Sequence, residues 1–103
     1  MIEHIIEKLL KFRNERDWPQ FHTPKNLACS ISIEANELLE LFQWSDKPKN
    51  NDTIQKEVGD ILIYLAYFCD YYGLSFEDAM RYAMEINEQN YPAEKFKGKA
   101  TRK

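Results

Sequence analysis

The feature that most constrains this chain is the placement of two acidic pairs inside otherwise apolar helical stretches. The pairs are Glu34 with Glu37 and Glu57 with Asp60, each separated by three positions. Residues three apart lie on the same face of a helix, and a carboxylate on a core-facing stripe is costly unless a cation neutralises it. Two such pairs on two packed helices would form a cage of four carboxylates, and hard cations such as Mg²⁺ prefer oxygen ligands. The pattern therefore predicts a metal site between two helices.

Helical geometry separates the acidic residues of the second predicted helix into two kinds. On a wheel of about 100° per residue, Glu34 lies between Leu27 and Leu41, in the middle of the apolar stripe. Glu37 lies at the edge of that stripe, whereas Glu40 lies off it and is better explained by solvation or an ion pair. The bland explanation, acidic residues on a solvated helix face, therefore fits Glu40 and fits Glu34 poorly.

The third predicted helix is apolar or aromatic on nearly every side from 58 to 72, which indicates a central position. Glu57, Asp60 and Tyr64 share one face of it. A carboxylate within such a helix is a candidate functional residue.

Apolar residues spaced every three or four positions, separated by turn-forming segments, predict four helices. We predict them at residues 2–17, 24–42, 52–72 and 75–90. Thr23 and Ser75 are predicted N-caps, and Gly73 is the predicted end of the third helix. Strand-like alternation is absent from the sequence, so the predicted fold class is all-α, a four-helix bundle. Residues 1–92 are predicted to form the domain, and residues 93–103, which carry five cations, a flexible basic tail.

Length and charge exclude several classes of function. A chain of 103 residues is long enough for one small domain, whose modest core favours self-association. The net charge of −3 argues against a stable nucleic-acid partner. The longest apolar run, 61–69, is too short to cross a membrane, and the N-terminus lacks a signal-peptide pattern. We therefore expect a cytoplasmic protein in which Cys29 and Cys69 are buried free thiols.

Aromatic and special residues leave alternatives open. His22 is either a ligand-binding residue or a structural histidine beside a turn. Trp18 and Trp44 either stack on a base or close the ends of the core. The aromatic residues between 67 and 72 are better explained as core or subunit interface. Gly59 costs about 1 kcal/mol within a helix relative to Ala, and close approach of another helix would explain it, although drift would as well.

The spacing of the acidic pairs resembles the signature of the MazG-like nucleotide pyrophosphohydrolases. In this chain Glu34-x-x-Glu37 is followed, after 19 residues, by Glu57-x-x-Asp60. Further segments resemble the subgroup that contains the dCTP pyrophosphatases. They are residues 12–22, Pro24-x-Asn26-Leu27, residues 40–44, residues 60–65, and Asn87 with Tyr91-Pro92. The likeness covers residues 12–92. The acidic signature is shared with dimeric dUTPases and phosphoribosyl-ATP pyrophosphohydrolases, so the aromatic and histidine context is the more specific part.

The resemblance implies a reaction in which a nucleoside triphosphate and water give the monophosphate and pyrophosphate. It implies that the four acidic residues bind Mg²⁺, with Mn²⁺ as a substitute, and that Glu34 or Glu37 activates the water. The implied substrate contacts are Trp18, His22, Trp44, Tyr64, Asn87 and Tyr91. The candidate phosphate contacts, each equally an ordinary surface cation, are Lys25, Arg13, Arg16 and Lys56. The family further implies assembly as a homodimer or homotetramer.

Three functional hypotheses follow. The leading one is a house-cleaning pyrophosphohydrolase that prefers dCTP-like or modified pyrimidine deoxynucleotides. A close rival is broad activity on several triphosphates. A hypothesis of a different class is a non-catalytic helical interaction module in which a divalent metal only staples the helices together.

Overall fold

The computed structural model describes residues 1–47 and 50–100, and every regular element in those residues is helical. The helices are α1 (Ile2–Glu15), a 3₁₀ turn (Trp18–Phe21), α2 (Pro24–Glu40), α3 (Asn51–Tyr71), α4 (Phe76–Asn90) and α5 (Ala93–Phe96). The predicted all-α class is therefore confirmed. No helix of the described residues is long and apolar enough to cross a membrane.

The chain forms two compact units that meet in sequence at Gly73 and Leu74. In the first unit, α2 packs mainly against α3, and α1 contacts both α3 and the 3₁₀ turn. The buried apolar core of the described chain is small and consists of Leu27, Ala66 and Tyr67. Because α2 and α3 supply this core, their packing fixes the relative position of every side chain on their facing surfaces.

Local capping explains where the helices of the first unit begin. The Thr23 hydroxyl accepts a hydrogen bond from the Asn26 backbone N–H at 3.1 Å, and Pro24 occupies the first position of α2. The Asn50 side chain accepts from the Asp52 N–H at 2.8 Å, so α3 begins at Asn51. Gly73 has a φ of 65° and follows the end of α3, as its sequence predicts.

Two helices end earlier than predicted by more than one residue. α1 ends at Glu15, because Asp17 adopts a left-handed φ of 55° and Pro19 follows within the 3₁₀ turn. α2 ends at Glu40, and the residues after it form turns. Both differences are of two residues, the usual uncertainty of a helix boundary.

The second unit begins at Leu74 and contains α4 and α5. The Ser75 hydroxyl accepts from the Asp78 N–H at 3.3 Å, which confirms the predicted N-cap of α4. α5 is a single turn within the segment predicted as a flexible tail, and the Tyr91 and Phe96 rings meet edge to face at 5.1 Å. Residues 101–103 of the predicted tail lie outside the described residues, and the boundary at residue 92 stays a prediction.

Some predicted burial is wrong. Cys29 is exposed and Cys69 only partly covered. At about 100° per residue, Cys29 lies nearly opposite the buried Leu27 on α2. Tyr67 is buried as expected, whereas Tyr71 and Tyr72 are exposed. A methyl group added at Gly59 would meet no heavy atom within 4 Å in the described chain. Close helix approach therefore does not explain this glycine.

Candidate functional site

Packing of α2 on α3 brings three of the predicted metal ligands together. Glu34 and Glu37 project from α2 and Glu57 from α3, and each offers a carboxylate oxygen within 4.8 Å of the other two. The spacing of three positions on α2 and the contact between the two helices together account for this convergence. Three hard oxygen donors at this separation are the ligand type that Mg²⁺ and similar cations require.

Two of the three carboxylates, those of Glu34 and Glu57, are in an environment that disfavours their charge. One oxygen of Glu34 and one of Glu57, the Oε2 atom in each, are buried and accept no hydrogen bond in the described chain. Burial, a hydrogen bond with Glu37 and the neighbouring negative charges raise the pKa of Glu34 from 4.5 to about 6. Burial and the charge of Glu37 raise the pKa of Glu57 as well. Each shift means that the folded chain disfavours the charged form.

Asp60, the fourth predicted ligand, lies beside the trio but has a partner of its own. Its Oδ2 atom accepts a hydrogen bond from the Lys56 ammonium at 2.6 Å, one helical turn earlier on α3. The charge of Asp60 still raises the pKa of Glu34, so the two carboxylates interact electrostatically. The structure thus divides the predicted cage of four into three converging carboxylates and one ion-paired neighbour.

The donor set fits a divalent cation. Buried polar atoms in proteins are almost always paired, and two unpaired carboxylate oxygens are acceptors that a cation could satisfy. A divalent ion would also offset the mutual repulsion that raises the pKa values of Glu34 and Glu57. The acidic cluster could therefore hold a divalent metal ion.

A cleft of about 370 Å³ opens beside this cluster, within the first unit. Glu34 and Asp60 line it, together with three residues predicted to bind substrate, which are Trp18, His22 and Tyr64. Ligand pockets typically have volumes of about 300–1,000 Å³, so the cleft is large enough for a small molecule. Carboxylates that hold a divalent cation could bind an anionic group through that cation, and aromatic rings can stack on a flat group, so the cleft suits a ligand that has both.

Aromatic contacts orient Trp18 within the cleft. Its ring meets Phe12 edge to face, with centroids 5.6 Å apart and planes at 74°. The Arg16 guanidinium lies 3.5 Å above the Phe12 ring and 6.0 Å from the Trp18 ring. The indole remains 40% exposed, so the part of it that the neighbours leave uncovered is accessible to a ligand.

His22 lies between the cleft and the core. Its ring stacks on Tyr67 with centroids 4.7 Å apart and planes tilted by 34°. Nδ1 is buried and has no hydrogen-bond partner in the described chain. Burial, and next the charge of Arg13, lower the pKa of His22 below 6.5. The imidazole is therefore mainly neutral at pH 7, a form with one donor and one acceptor nitrogen.

The remaining predicted substrate contacts are not lining residues of this cleft. Lys25 is exposed on the first turn of α2, and Trp44 is 88% exposed, so it does not close an end of the core. Asn87 and Tyr91 belong to the second unit, in the last turn of α4 and immediately after it.

Sequence reasoning missed the roles of two other lining residues. Phe12 and Tyr67 face the cleft from α1 and α3. Tyr67 could have been found from its position three residues after Tyr64, which places both on one face of α3. Phe12 belongs to the segment that resembles the family but carries no polar group to mark it.

We expect neutralisation of Glu34 to stabilise the metal-free protein in a pH-dependent way. The pKa of Glu34 rises from 4.5 to about 6 on folding. Below about pH 4.5 the side chain is protonated in both states, so it does not alter the free energy of unfolding. Above about pH 6 it is charged in both states, and its charge lowers that free energy by the largest amount. The melting temperature of Glu34→Gln should therefore exceed that of the wild type at pH 7.5, and the difference should shrink toward pH 4. Thermal unfolding in chelator measures this, with Glu40→Gln on the same helix as control. An equal difference at both pH values would contradict it.

Comparison with known proteins places these features in a family. Residues 29–102 match the model of the MazG-like family. The chain is 35% identical to dCTP pyrophosphatase 1 of Rattus norvegicus in an alignment of 108 positions that covers 96% of this chain and 64% of that protein. It is 36% identical to dCTP pyrophosphatase 1 of Homo sapiens in an alignment of 101 positions that covers 89% of this chain and 59% of that protein. The chain thus spans less than two thirds of these relatives.

A solved structure gives the fold independently. The crystal structure of a pyrophosphatase from Archaeoglobus fulgidus superposes with a TM-score of 0.81 at 40% sequence identity. The match covers 88% of this chain and 92% of the archaeal one. The acidic cluster, the helical fold and the family match agree, and the chain belongs to the MazG-like family.

Proposed function

We propose that this protein is a Mg²⁺-dependent nucleoside triphosphate pyrophosphohydrolase that acts in nucleotide-pool house-cleaning. It converts a nucleoside triphosphate and water into the monophosphate and pyrophosphate. The observation that carries the proposal is the cleft in which Glu34 and Asp60 share the lining with Trp18 and His22. Such a cleft offers a place for metal-bound phosphates beside a place for a base.

The residues of the cleft have different proposed roles in the reaction. The oxygen of water attacks the α-phosphorus, and the bond from that phosphorus to the bridging oxygen breaks, so pyrophosphate leaves. Glu34 or Glu37 takes the proton of the water, since both carboxylates lie in the acidic cluster. A bound divalent ion would stabilise the negative charge that develops on the phosphate oxygens. Lys56, which also lines the cleft, is placed to contact a phosphate.

The base is proposed to bind at the aromatic end of the cleft. Trp18 offers a partly exposed ring, and His22 offers hydrogen-bonding nitrogens in its neutral form. We propose a preference for dCTP-like or modified pyrimidine deoxynucleotides, which the names of the rat and human relatives support. The proposed contacts of Lys25, Trp44, Asn87 and Tyr91 with substrate rest on the family resemblance alone.

A panel of common and modified nucleoside triphosphates, assayed for pyrophosphate release with and without Mg²⁺, tests the proposal. We expect release from pyrimidine deoxynucleotides that requires Mg²⁺. His22→Ala and Trp44→Ala should raise KM about tenfold, because stacking on one base contributes about 1–3 kcal/mol. Trp44→Ala should leave the melting temperature unchanged, since that side chain is exposed. No release from any triphosphate, together with metal-induced stabilisation, would instead favour the non-catalytic module.

We expect Asp60→Asn to abolish turnover while the metal-free protein remains folded. Asn preserves the side-chain volume, so no cavity opens, and removing one like charge relieves Glu34. Mg²⁺ should raise the melting temperature of the wild type much more than that of the variant, because a ligand that binds only the native state stabilises it. Asp46→Asn, in the exposed loop after α2, is the matched control. Turnover like that of the wild type in Asp60→Asn would remove Asp60 from the site.

We also propose that the chain assembles as a homodimer or homotetramer. The buried core is small, and large apolar side chains remain exposed on α2 and α3, among them Ile33, Leu39 and Leu62. Covering such surface with a second copy would bury apolar area that one chain leaves in water. Light scattering at assay concentrations should give at least twice the monomer mass of 12.3 kDa. A monodisperse monomer would contradict this proposal and leave the proposed chemistry intact.

A further inference from the structure

The stacked rings of His22 and Tyr67 form a wall between two clefts of the first unit. Both residues line the candidate active-site cleft. Both also line a second cleft of about 330 Å³, in which Arg13 and Asp70 take part and from which the acidic cluster is absent. Contacts made to these two rings from the second cleft therefore fix the orientation of the His22 ring in the candidate active-site cleft.

An ion pair between α1 and α3 supports the wall. Arg13 Nη1 donates a hydrogen bond to Asp70 Oδ2 at 3.0 Å. The guanidinium carbon lies 5.6 Å from the centroid of the Tyr67 ring, within the range of a cation–π contact. The Arg13 side chain is only 13% exposed. The pairs Lys56–Asp60 and Arg81–Glu77, by contrast, join residues four apart on one helix and involve largely exposed cations.

The order of contacts runs from Asp70 to Arg13, from Arg13 to the Tyr67 ring, and from that ring to the His22 imidazole. Tyr67 is 3% exposed, so it has little room to move independently of its neighbours. Arg13 does not itself line the candidate active-site cleft. Arg13 therefore acts on this cleft through His22, both by the contact of its guanidinium with the Tyr67 ring and by its charge, which lowers the pKa of His22.

We propose that Arg13 is a positioning residue for base recognition, which it serves by bonding to Asp70 and holding the Tyr67 ring against the His22 imidazole. The proposal rests on the proposed function, because it assigns His22 to the base. A group held in one orientation before binding loses less conformational freedom when the ligand arrives. The ion pair thus contributes to the affinity for the base and leaves the attack at phosphorus unaffected.

Steady-state kinetics distinguishes this role from a merely structural one. Arg13→Gln and Asp70→Asn should each raise KM for the preferred triphosphate by about threefold or more, the size typical of coupled neighbours, with kcat within about twofold of the wild type. Arg13→Lys keeps the cation and should restore most of the affinity. Arg81→Gln, which removes an exposed arginine from a pair on α4, should change neither constant. Parallel loss of kcat and melting temperature without a selective rise in KM would overturn the proposal.

A second measurement does not depend on activity. The chain has two histidines, so His4→Gln leaves His22 as the only imidazole signal in a proton NMR spectrum. The Tyr67 ring, 4.7 Å away, should displace the carbon-bound proton signals of His22 from their positions in an unfolded chain. Adding Arg13→Gln or Asp70→Asn should move these signals toward the unfolded positions.

The two measurements separate two kinds of failure. If the wild type releases no pyrophosphate, the proposed function fails, and the NMR signals still report whether Arg13 positions His22. If the His22 signals are the same with and without Arg13, the positioning role is wrong even when the enzyme is active.

Discussion

Repulsion between carboxylates at the contact of α2 and α3 is the constraint on which the rest of this structure depends. Helix packing that buries Leu27 and Tyr67 also forces Glu34, Glu37 and Glu57 within 4.8 Å of one another. The pKa values of Glu34 and Glu57 are raised, because burial and the neighbouring carboxylates disfavour the charged form of each. A sequence selected for stability alone would not place these charges there, and local violations of the folding rules of this kind are characteristic of functional sites.

The small core makes Tyr67 important to both fold and site. It is one of three buried apolar residues in the described chain and the only one with a polar tip. Its ring contacts His22 on one side and lies under the Arg13 guanidinium on another. Burial raises the pKa of its hydroxyl, so the ring remains neutral and serves as a packing surface. Tyr67 thus belongs both to the core and to the lining of the candidate cleft, which couples the rigidity of the cleft to the stability of the fold.

Local rules predicted much of this architecture because its signals lie close together in sequence. Thr23, Ser75 and Gly73 act within four residues of the helix end that they define. The convergence of Glu34 with Glu37 follows from helical periodicity in the same way. Periodicity specifies which side of a helix a residue occupies, and it therefore placed the acidic residues on the facing surfaces of α2 and α3.

Contacts between distant segments could not be predicted by the same reasoning. Arg13 and Asp70 are 57 positions apart, and helical periodicity does not pair residues of different helices. Cys29 was expected to be buried because it lies in the interior of a predicted helix, but it is exposed, since a position inside a helix does not say which face meets another helix. The sequence around Trp44 does not reveal whether other residues cover its ring, and 88% of its surface is exposed. The contacts and exposures of these residues depend on which helices meet and at what angle. Composition and spacing do not determine that arrangement.

The ion pair between Lys56 and Asp60 bears on how the acidic cluster could accept a metal. An exposed ion pair four positions apart on a helix contributes little to stability, and the Lys56 side chain is 72% exposed. Lys56 can therefore leave Asp60 at little cost, whereas Glu34 and Glu57 have no hydrogen-bond partner at Oε2 to lose. A divalent cation would then compete for Asp60 against one flexible ammonium group. The released ammonium would still lie along the cleft, where the proposed phosphates bind. On this argument Lys56 neutralises Asp60 in the metal-free chain and a phosphate in the complex, so the same side chain satisfies both states.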